Sequence, residues 1–494
     1  MYLGIDCGTQ GTKAVLIDED GKPLGRGYAA HALIERENGA REQEPQWWVD
    51  ALREAVRQAL SQAPNVKVVA LAVSGQQHGL VVLDEEMRVI RPAKLWNDTE
   101  TAPQNDELVA RLGGSAACLE KIGIVPLTGY TASKLLWLKE NEPEAFARIR
   151  HILLPHDYLN FWLTGNLAAE YGDASGTAFF DVRTRKWSAE VLDLIDGKSG
   201  SLKRALPPLL RPEDIVGILR PEVASDLGIS SDCIVSSGGG DNMMGAIGTG
   251  NVREGVVTLS LGTSSTVYSF CEHPVVDATG SVASFCSSSG GWLPLVCTMN
   301  ATNVVTRTLH TVGKTVNDLD AALLATRPGA DGMSFLPFLN GERTPNLPSA
   351  RGTLVGISSN NFTSENLIRA AVEGVSFGVL SGLDRILNGR EPDVIFVIGG
   401  GARSREWRQL LADATGAAIQ VPAEEEAGCL GAAMQAMYAF RCASGGPSSS
   451  LVDIADRCVS VSKDGKQVPQ ADRHQVYRQA MERYQAALQE LYLS

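Results

Sequence analysis

The chain has 494 residues, more than one ordinary hydrophobic core can use, so two or three domains are expected. At 44% hydrophobic and 20% charged residues it reads as a globular protein, and no apolar run reaches the length of a bilayer span. With 44 Lys and Arg against 57 Asp and Glu, the net charge of −13 argues against general nucleic-acid binding, though not against an anion held by backbone N–H groups.

In chain order, Tyr2 to Ile5 is predicted as a strand that ends in Asp6-Cys7-Gly8-Thr9-Gln10-Gly11-Thr12-Lys13. A second strand follows from Ala14 to Asp18, and Glu19 to Lys22 turns into a third. Trp47 to Leu60 has helical spacing, and Val66 to Val73 is a buried strand leading into Ser74-Gly75-Gln76-Gln77-His78-Gly79. The theme returns in mid-chain. Ile234 to Ser236 ends in Ser237-Gly238-Gly239-Gly240-Asp241-Asn242, and Gly255 to Leu261 ends in Gly262-Thr263-Ser264-Ser265 before Thr266 to Phe270 turns back. Two strand, Gly-Thr turn, strand units about 250 residues apart point to two related α/β domains, 1–246 and 247–494, with the break between Asn242 and Glu254. Later, Asp393 to Ile398 is a strand ending in Gly399-Gly400-Gly401-Ala402-Arg403, followed by a helix from Ser404 to Thr415. Ser444 to Ser450 reads as a loop, and Val476, Met481, Tyr484, Leu488 and Leu491 form the apolar stripe of a terminal helix.

The nine cysteines are scattered, odd in number and without a CxxC pair, so neither a zinc site nor a disulfide framework is expected. The N-terminus shows no basic segment or cleavage site of a secretory signal. A reducing, cytoplasmic compartment is the expectation.

Four segments carry candidate chemistry. Gly8 and Gly11 allow a sharp turn in which Thr9 to Thr12 aim N–H groups at an anion, with Asp6 placed for a hydrated cation and Lys13 for a point charge. An isolated Asp-x-Gly-Thr serves equally well as a plain hairpin, but the second Gly-Thr hairpin at Gly262 favours phosphate. In Gly238 to Asn242, three glycines let the backbone approach a ligand, and Asp241 is either a general base or a helix cap. Gln76, Gln77 and His78, with Trp96-Asn97-Asp98, offer the donors, acceptors and apolar face that read sugar hydroxyls. Gly399 to Arg403 is either a surface for an adenine ring or a strand–helix turn. Gly197-Lys198-Ser199 and Gly313-Lys314-Thr315 lack the upstream glycine of a Walker loop, and no G-x-G-x-x-G follows a strand.

Together these segments resemble the FGGY carbohydrate kinases, of the sugar kinase, actin and heat-shock ATPase group. The similarity is carried by Gly129-Tyr130-Thr131-Ala132-Ser133-Lys134-Leu135-Leu136-Trp137 through Asn141, by Phe335 to Pro345, and by Gly352 to Ile357 with Asn366 to Glu373. It runs from Gly4 to about Gly431; the last sixty or so residues carry none. Gly75 to Gly79, Leu95 to Asp98, Leu154 to Tyr158 and Gly240 to Asn242 narrow it to members acting on D-xylulose. Gln77 stands where Met is frequent, and His156 where Lys is frequent. The Gln77 departure bears on which ketose is bound.

The resemblance implies two ribonuclease-H-like domains, each a mixed sheet of about five strands with helices on both faces, closing around a central cleft. It implies ATP-dependent phosphorylation of a ketopentose, D-xylulose to D-xylulose 5-phosphate, in the presence of Mg²⁺. Asp241 would be the general base, and Asp6, with Asp241 nearby, would hold the metal. Thr9, Gln10 and Lys13 would meet the phosphates from one side and Gly262, Thr263 and Ser264 from the other, with Gly400, Gly401 and Arg403 at the adenosine. Gln77, His78, Trp96, Asn97, Asp241 and Asn242 would orient the sugar. The implied partners are the sugar and ATP, with no nucleic acid or membrane, and a homodimer as the assembly entertained. The alternatives are a kinase of ribulose, gluconate or glycerol, and an actin-like or chaperone-like ATPase that binds partners.

Overall fold

The computed structural model describes residues 1–445 and 450–493. The chain forms two compact units. The first comprises Met1–Arg253, Phe270–Leu293 and Glu426–Val459; the second comprises Glu254–Ser269, Pro294–Glu425 and Ser460–Ser494. After Arg253 two segments, 270–293 and 426–459, return to the first unit, which a single cut between residues 246 and 247 does not describe.

In the first unit the main sheet runs Ile215–Ile218, Ile234–Ser236, Ala70–Gly75, Tyr2–Cys7, Gly11–Ile17, Pro23–Ala30. Tyr2–Cys7 is antiparallel to Gly11–Ile17 and parallel to Ala70–Gly75. Such a central strand is buried on both faces, which is why Tyr2, Leu3, Ile5 and Cys7 are all apolar and buried. Helix Pro45–Ser61 covers one face. Its Trp48, Leu52, Val56 and Ala59 recur at helical spacing and are fully buried, and Pro45 at its first turn costs no hydrogen bond. Helix Ala427–Ala443 packs on strands Tyr2–Cys7 and Ala70–Gly75. It also packs on helix Asp241–Gly248, where an added Cβ at Gly431 would lie 1.8 Å from the Met244 carbonyl oxygen and one at Gly248 would lie 2.0 Å from that of Ala427.

The second unit repeats the plan. Val256–Leu261 is antiparallel to Ser265–Ser269, which is antiparallel to Trp292–Thr298. Val256–Leu261 is also parallel to Val394–Ile398, and that strand to Ala418–Gln420. Three antiparallel strands followed by two parallel ones is the same five-strand arrangement found in the first unit. Both units are therefore ribonuclease-H-like; the first sheet adds an edge strand, Ile215–Ile218, and a two-residue strand, Gly239–Gly240, and the second sheet adds an edge strand, Ala283–Cys286.

Two local expectations change. The strand expected from Val66 begins at Ala70 and runs on to Gly75. In the terminal helix, Ala471–Leu488, the buried face is Tyr477, Ala480, Tyr484 and Leu488, while Val476 and Leu491 are exposed. Tyr477 replaces Val476 because Arg369 donates to its hydroxyl at 2.7 Å and its ring packs edge-on against Phe377, so an amphipathic side chain outcompetes an aliphatic one. Residues 446–449 of the expected loop Ser444 to Ser450 lie outside the described residues. Among the described residues, no helix is long and apolar enough to cross a membrane, and all nine cysteines are free thiols.

Candidate active site

In the first unit the candidate residues gather at the carboxyl ends of neighbouring parallel strands, the usual place for ligand chemistry in an α/β sheet. Asp6 is in register with Ser74, and Ser74 with Gly239, so the loops carrying Asp6, Gln77-His78 and Asp241 leave the sheet side by side. The Ser74 hydroxyl donates to Asp6 Oδ1 at 2.7 Å. Burial pushes the Asp6 carboxyl above its usual range, opposed by that hydrogen bond and by Lys13.

Asp241 is the first residue of helix Asp241–Gly248, and the N-cap is Gly240, so Asp241 does not cap its own helix. Its Oδ1 accepts from the Asn242 backbone N–H at 2.7 Å and from Asn242 Nδ2 at 3.0 Å. Burial first, and then the Asp6 carboxylate, push the Asp241 carboxyl up to about 7. A carboxylate so tuned can accept a proton near neutral pH.

Gln77 is buried and both ends of its amide are engaged: Oε1 accepts from Asn242 Nδ2 at 2.8 Å, and Nε2 donates to Met243 Sδ at 3.3 Å. His78 has φ +64°, in the left-handed region that non-glycine residues rarely occupy. Its ring lies 4.6 Å from that of Tyr130 and 5.7 Å from that of Phe285. Asn97 Oδ1 is buried and has no hydrogen-bond partner among the described residues. Trp96 Nε1 donates to Thr9 Oγ1 at 3.0 Å, and the Thr9 hydroxyl donates to Gln76 Oε1 at 3.1 Å. The Thr9 side chain is thus spent on the loop's own structure, which leaves the backbone of the hairpin for an anion. Gln10 is exposed at its tip. Lys13 Nζ lies 2.6 Å from Glu426 Oε2; burial disfavours its charge, but Glu426 outweighs that and holds its pKa above the usual value.

A divalent cation is compatible with this donor set. Asp6 and Asp241 are two hard carboxylates, and an added Cβ at Gly428 would come 3.0 Å from Asp6 Cγ, so a glycine is needed beside that carboxylate. Among the described residues no three His, Cys, Asp or Glu form a closed metal cage. A small carboxylate set suits Mg²⁺, which keeps several of its waters.

In the second unit, Gly262 to Ser264 form the turn between strands Val256–Leu261 and Ser265–Ser269, with Gly262 N–H donating to the Ser264 carbonyl at 3.0 Å. Thr302 anchors this turn: its hydroxyl donates to the Gly262 carbonyl at 2.7 Å and its N–H to the same oxygen at 3.0 Å. Gly399 to Arg403 follow the adjacent parallel strand, Ser260 being in register with Ile398. An added Cβ at Gly400 would meet nothing within 4 Å, so the backbone there presents an open surface. Arg403 is 81% exposed and 3.5 Å from Glu425.

The sequence reading did not single out Ser74, Glu426, Asp173 or Thr302. Ser74 opens a candidate segment but has no distinguishing chemistry of its own, and each of the four acts on a residue remote in the chain.

Residues 1–248 match the N-terminal domain of the FGGY family of carbohydrate kinases, and residues 257–440 its C-terminal domain. The chain is 46% identical to a xylulose kinase of Haemophilus influenzae, with all of both chains covered. It superposes on a ligand-bound xylulose kinase from Lactobacillus acidophilus with TM-score 0.91 and 25% identity, over 100% of this chain and 98% of that one. A gluconate kinase from the same organism superposes with TM-score 0.90 and 25% identity, over 99% and 97% of the two chains, so the fold alone does not select the sugar. The two strand-end clusters, the repeated five-strand plan and both domain matches lead to one assignment: the chain belongs to the FGGY family of carbohydrate kinases.

Proposed function

We propose that the chain transfers the γ-phosphoryl group of ATP to D-xylulose, giving D-xylulose 5-phosphate and ADP. The observation that carries the choice of sugar is the end-to-end 46% identity to a relative named xylulose kinase. Asp241 is the general base: as the sugar hydroxyl oxygen bonds to the γ-phosphorus, its proton passes to the carboxylate, and the bond to the β,γ-bridging oxygen breaks to release ADP. Asn242 holds Asp241 Oδ1, which leaves Oδ2 to receive the proton. Trp96, Asn97, His78 and Asn242 orient the sugar, and Gln77 acts by fixing the Asn242 amide.

The amides of the Thr9 to Lys13 hairpin take phosphate oxygens, with Gln10 at its tip. In the second unit Gly262, Thr263 and Ser264 offer the same chemistry, Gly400 and Gly401 support the adenosine, and Arg403 stands at the rim. Asp6 and Asp241 would hold Mg²⁺, which when bound neutralises charge on the β- and γ-phosphates. Free thiols throughout accord with a cytoplasmic enzyme.

An ADP-release assay over D-xylulose, L-xylulose, D-ribulose, gluconate and glycerol tests the proposal. D-xylulose should give the highest kcat/KM. A preference for gluconate, glycerol or ribulose would replace the substrate, and nucleotide turnover indifferent to every sugar would remove the kinase reading.

A further inference from the structure

Lys134 is wholly buried in helix Thr131–Asn141, yet among the described residues no carboxylate accepts from it in a hydrogen bond. Its ammonium donates instead to two backbone carbonyls, that of His78 at 2.6 Å and that of Gly129. Thr131, one turn earlier on the same helix, donates its hydroxyl to the same His78 carbonyl at 3.1 Å. The first carbonyl belongs to a proposed sugar residue, and the second to a loop packed against another. His78 is in the left-handed conformation, and Gly129, φ +96°, lies so close to Trp96 that an added Cβ would sit 2.1 Å from the Trp96 carbonyl oxygen.

On the N–H side of His78 lies a second buried charge group. The His78 N–H is turned toward the Asp173 carboxylate and eases its charge. Asp173 Oδ2 is 2.9 Å from His156 Nδ1, and His156 Nε2 is 3.0 Å from Asp157 Oδ1, all three side chains being buried. Burial works against a charged His156, but the two carboxylates outweigh it and hold its pKa well above the usual imidazole value. The imidazole of His78 is also walled in, because an added Cβ at Gly176 would come within 2.0 Å of the ring.

Burying a lysine and an Asp–His–Asp group is expensive, and replacing such groups by apolar ones is often neutral or stabilising. A left-handed non-glycine residue adds its own cost. Strain of this kind persists only where the surroundings over-determine it, and here the N–H and the carbonyl of one residue are both held. The phosphoryl-transfer step uses none of these buried groups.

We propose that Lys134, with Thr131, is a positioning residue of the sugar site: it ties the His78 and Gly129 carbonyls together and so fixes the His78 imidazole and the Trp96 loop for the ketose hydroxyls. The proposal rests on the ketose reading above. Preorganisation of this sort lowers the cost of binding without touching the transferred phosphoryl group.

The test is a double-mutant cycle of Lys134→Met and His78→Ala on the full-length chain, with KM for D-xylulose, KM for ATP, kcat and thermal midpoint measured for each. Lys134→Met should raise the ketose KM by about tenfold, as expected when one hydrogen-bonding sugar contact is lost, and leave the KM for ATP within about twofold. In the His78→Ala background the same substitution should raise the ketose KM by clearly less than in the wild-type background, because only the Trp96 loop is left for it to position. A purely structural lysine would lower the thermal midpoint and add its full effect in both backgrounds, which would overturn the proposal. So would an unchanged ketose KM in folded Lys134→Met. If Lys134→Met does not fold, Thr131→Val removes the second donor to the same carbonyl and is read in the same cycle, with the same criteria. The wild-type chain separates the two readings: activity on D-xylulose with an unaltered variant overturns the clamp alone. A wild type inert toward every sugar overturns the function and the clamp with it.

Discussion

Asp241 and Asp6 were legible in the sequence because each ends an apolar strand at a glycine-bounded turn, where a carboxylate has no packing role. Their environment was not legible. The Ser74 hydrogen bond to Asp6, and the pairing of Asn242 with both Asp241 and Gln77, depend on which loops leave the sheet together. The proposed base predicts that Asp241→Asn lowers kcat by about 10²–10⁴ with little change in either KM, since the carboxylate is asked for proton removal; near-normal turnover would reassign the base. A second prediction concerns stability. Burial pulls the Lys134 pKa down from 10.5 to about 7 in the folded chain. Between those values the unfolded chain binds a proton that the folded chain does not, so this group makes stability rise with pH from about 7 toward 10.5. Denaturant unfolding of the wild type and Lys134→Met at pH 7 and pH 9 should show the gain shrinking in the variant; an identical pH dependence in both would count against that shift.

Among the elements, strands and their turns followed from apolar runs and Gly-Thr punctuation, whereas helix faces depended on partners that no local pattern reveals. The terminal helix illustrates this: Tyr484 and Leu488 are buried as expected, but the first buried position is Tyr477 rather than Val476, because a buried Arg369–Tyr477 hydrogen bond outranks aliphatic periodicity. The pairing of helices Asp241–Gly248 and Ala427–Ala443 was equally hidden, since it relies on glycines nearly 200 residues apart. In an exposed helix interior Gly→Ala stabilises by about 0.5–1 kcal/mol. At Gly431 the new methyl would stand 1.8 Å from the Met244 carbonyl oxygen, so the helices must separate. Overpacking typically costs about 1–3 kcal/mol and outweighs the propensity gain. Gly431→Ala should therefore lower the thermal midpoint by several degrees and, because Asp241 opens the helix being pushed, reduce kcat as well. A midpoint at or above the wild-type value would show that this contact yields freely.

At the level of the whole molecule, the repeat seen in two Gly-Thr hairpins is realised as two sheets with one strand order, and the family assignment spans both. That repeat was legible because each unit must begin with an antiparallel pair joined by a tight turn. The return of segment 426–459 to the first unit was not, because an apolar helix does not state which sheet it covers. Of the last sixty residues, silent in motif terms, helix Leu451–Cys458 belongs to the first unit and helix Ala471–Leu488 to the second. The account as a whole stands on one chemical event, transfer of phosphate from ATP to a ketose hydroxyl. Phosphorus and carbon NMR of a reaction containing the chain, ATP, Mg²⁺ and D-xylulose observes that event directly. The predicted result is D-xylulose 5-phosphate formed in equal amount with ADP; ADP and inorganic phosphate beside unmodified sugar would contradict it.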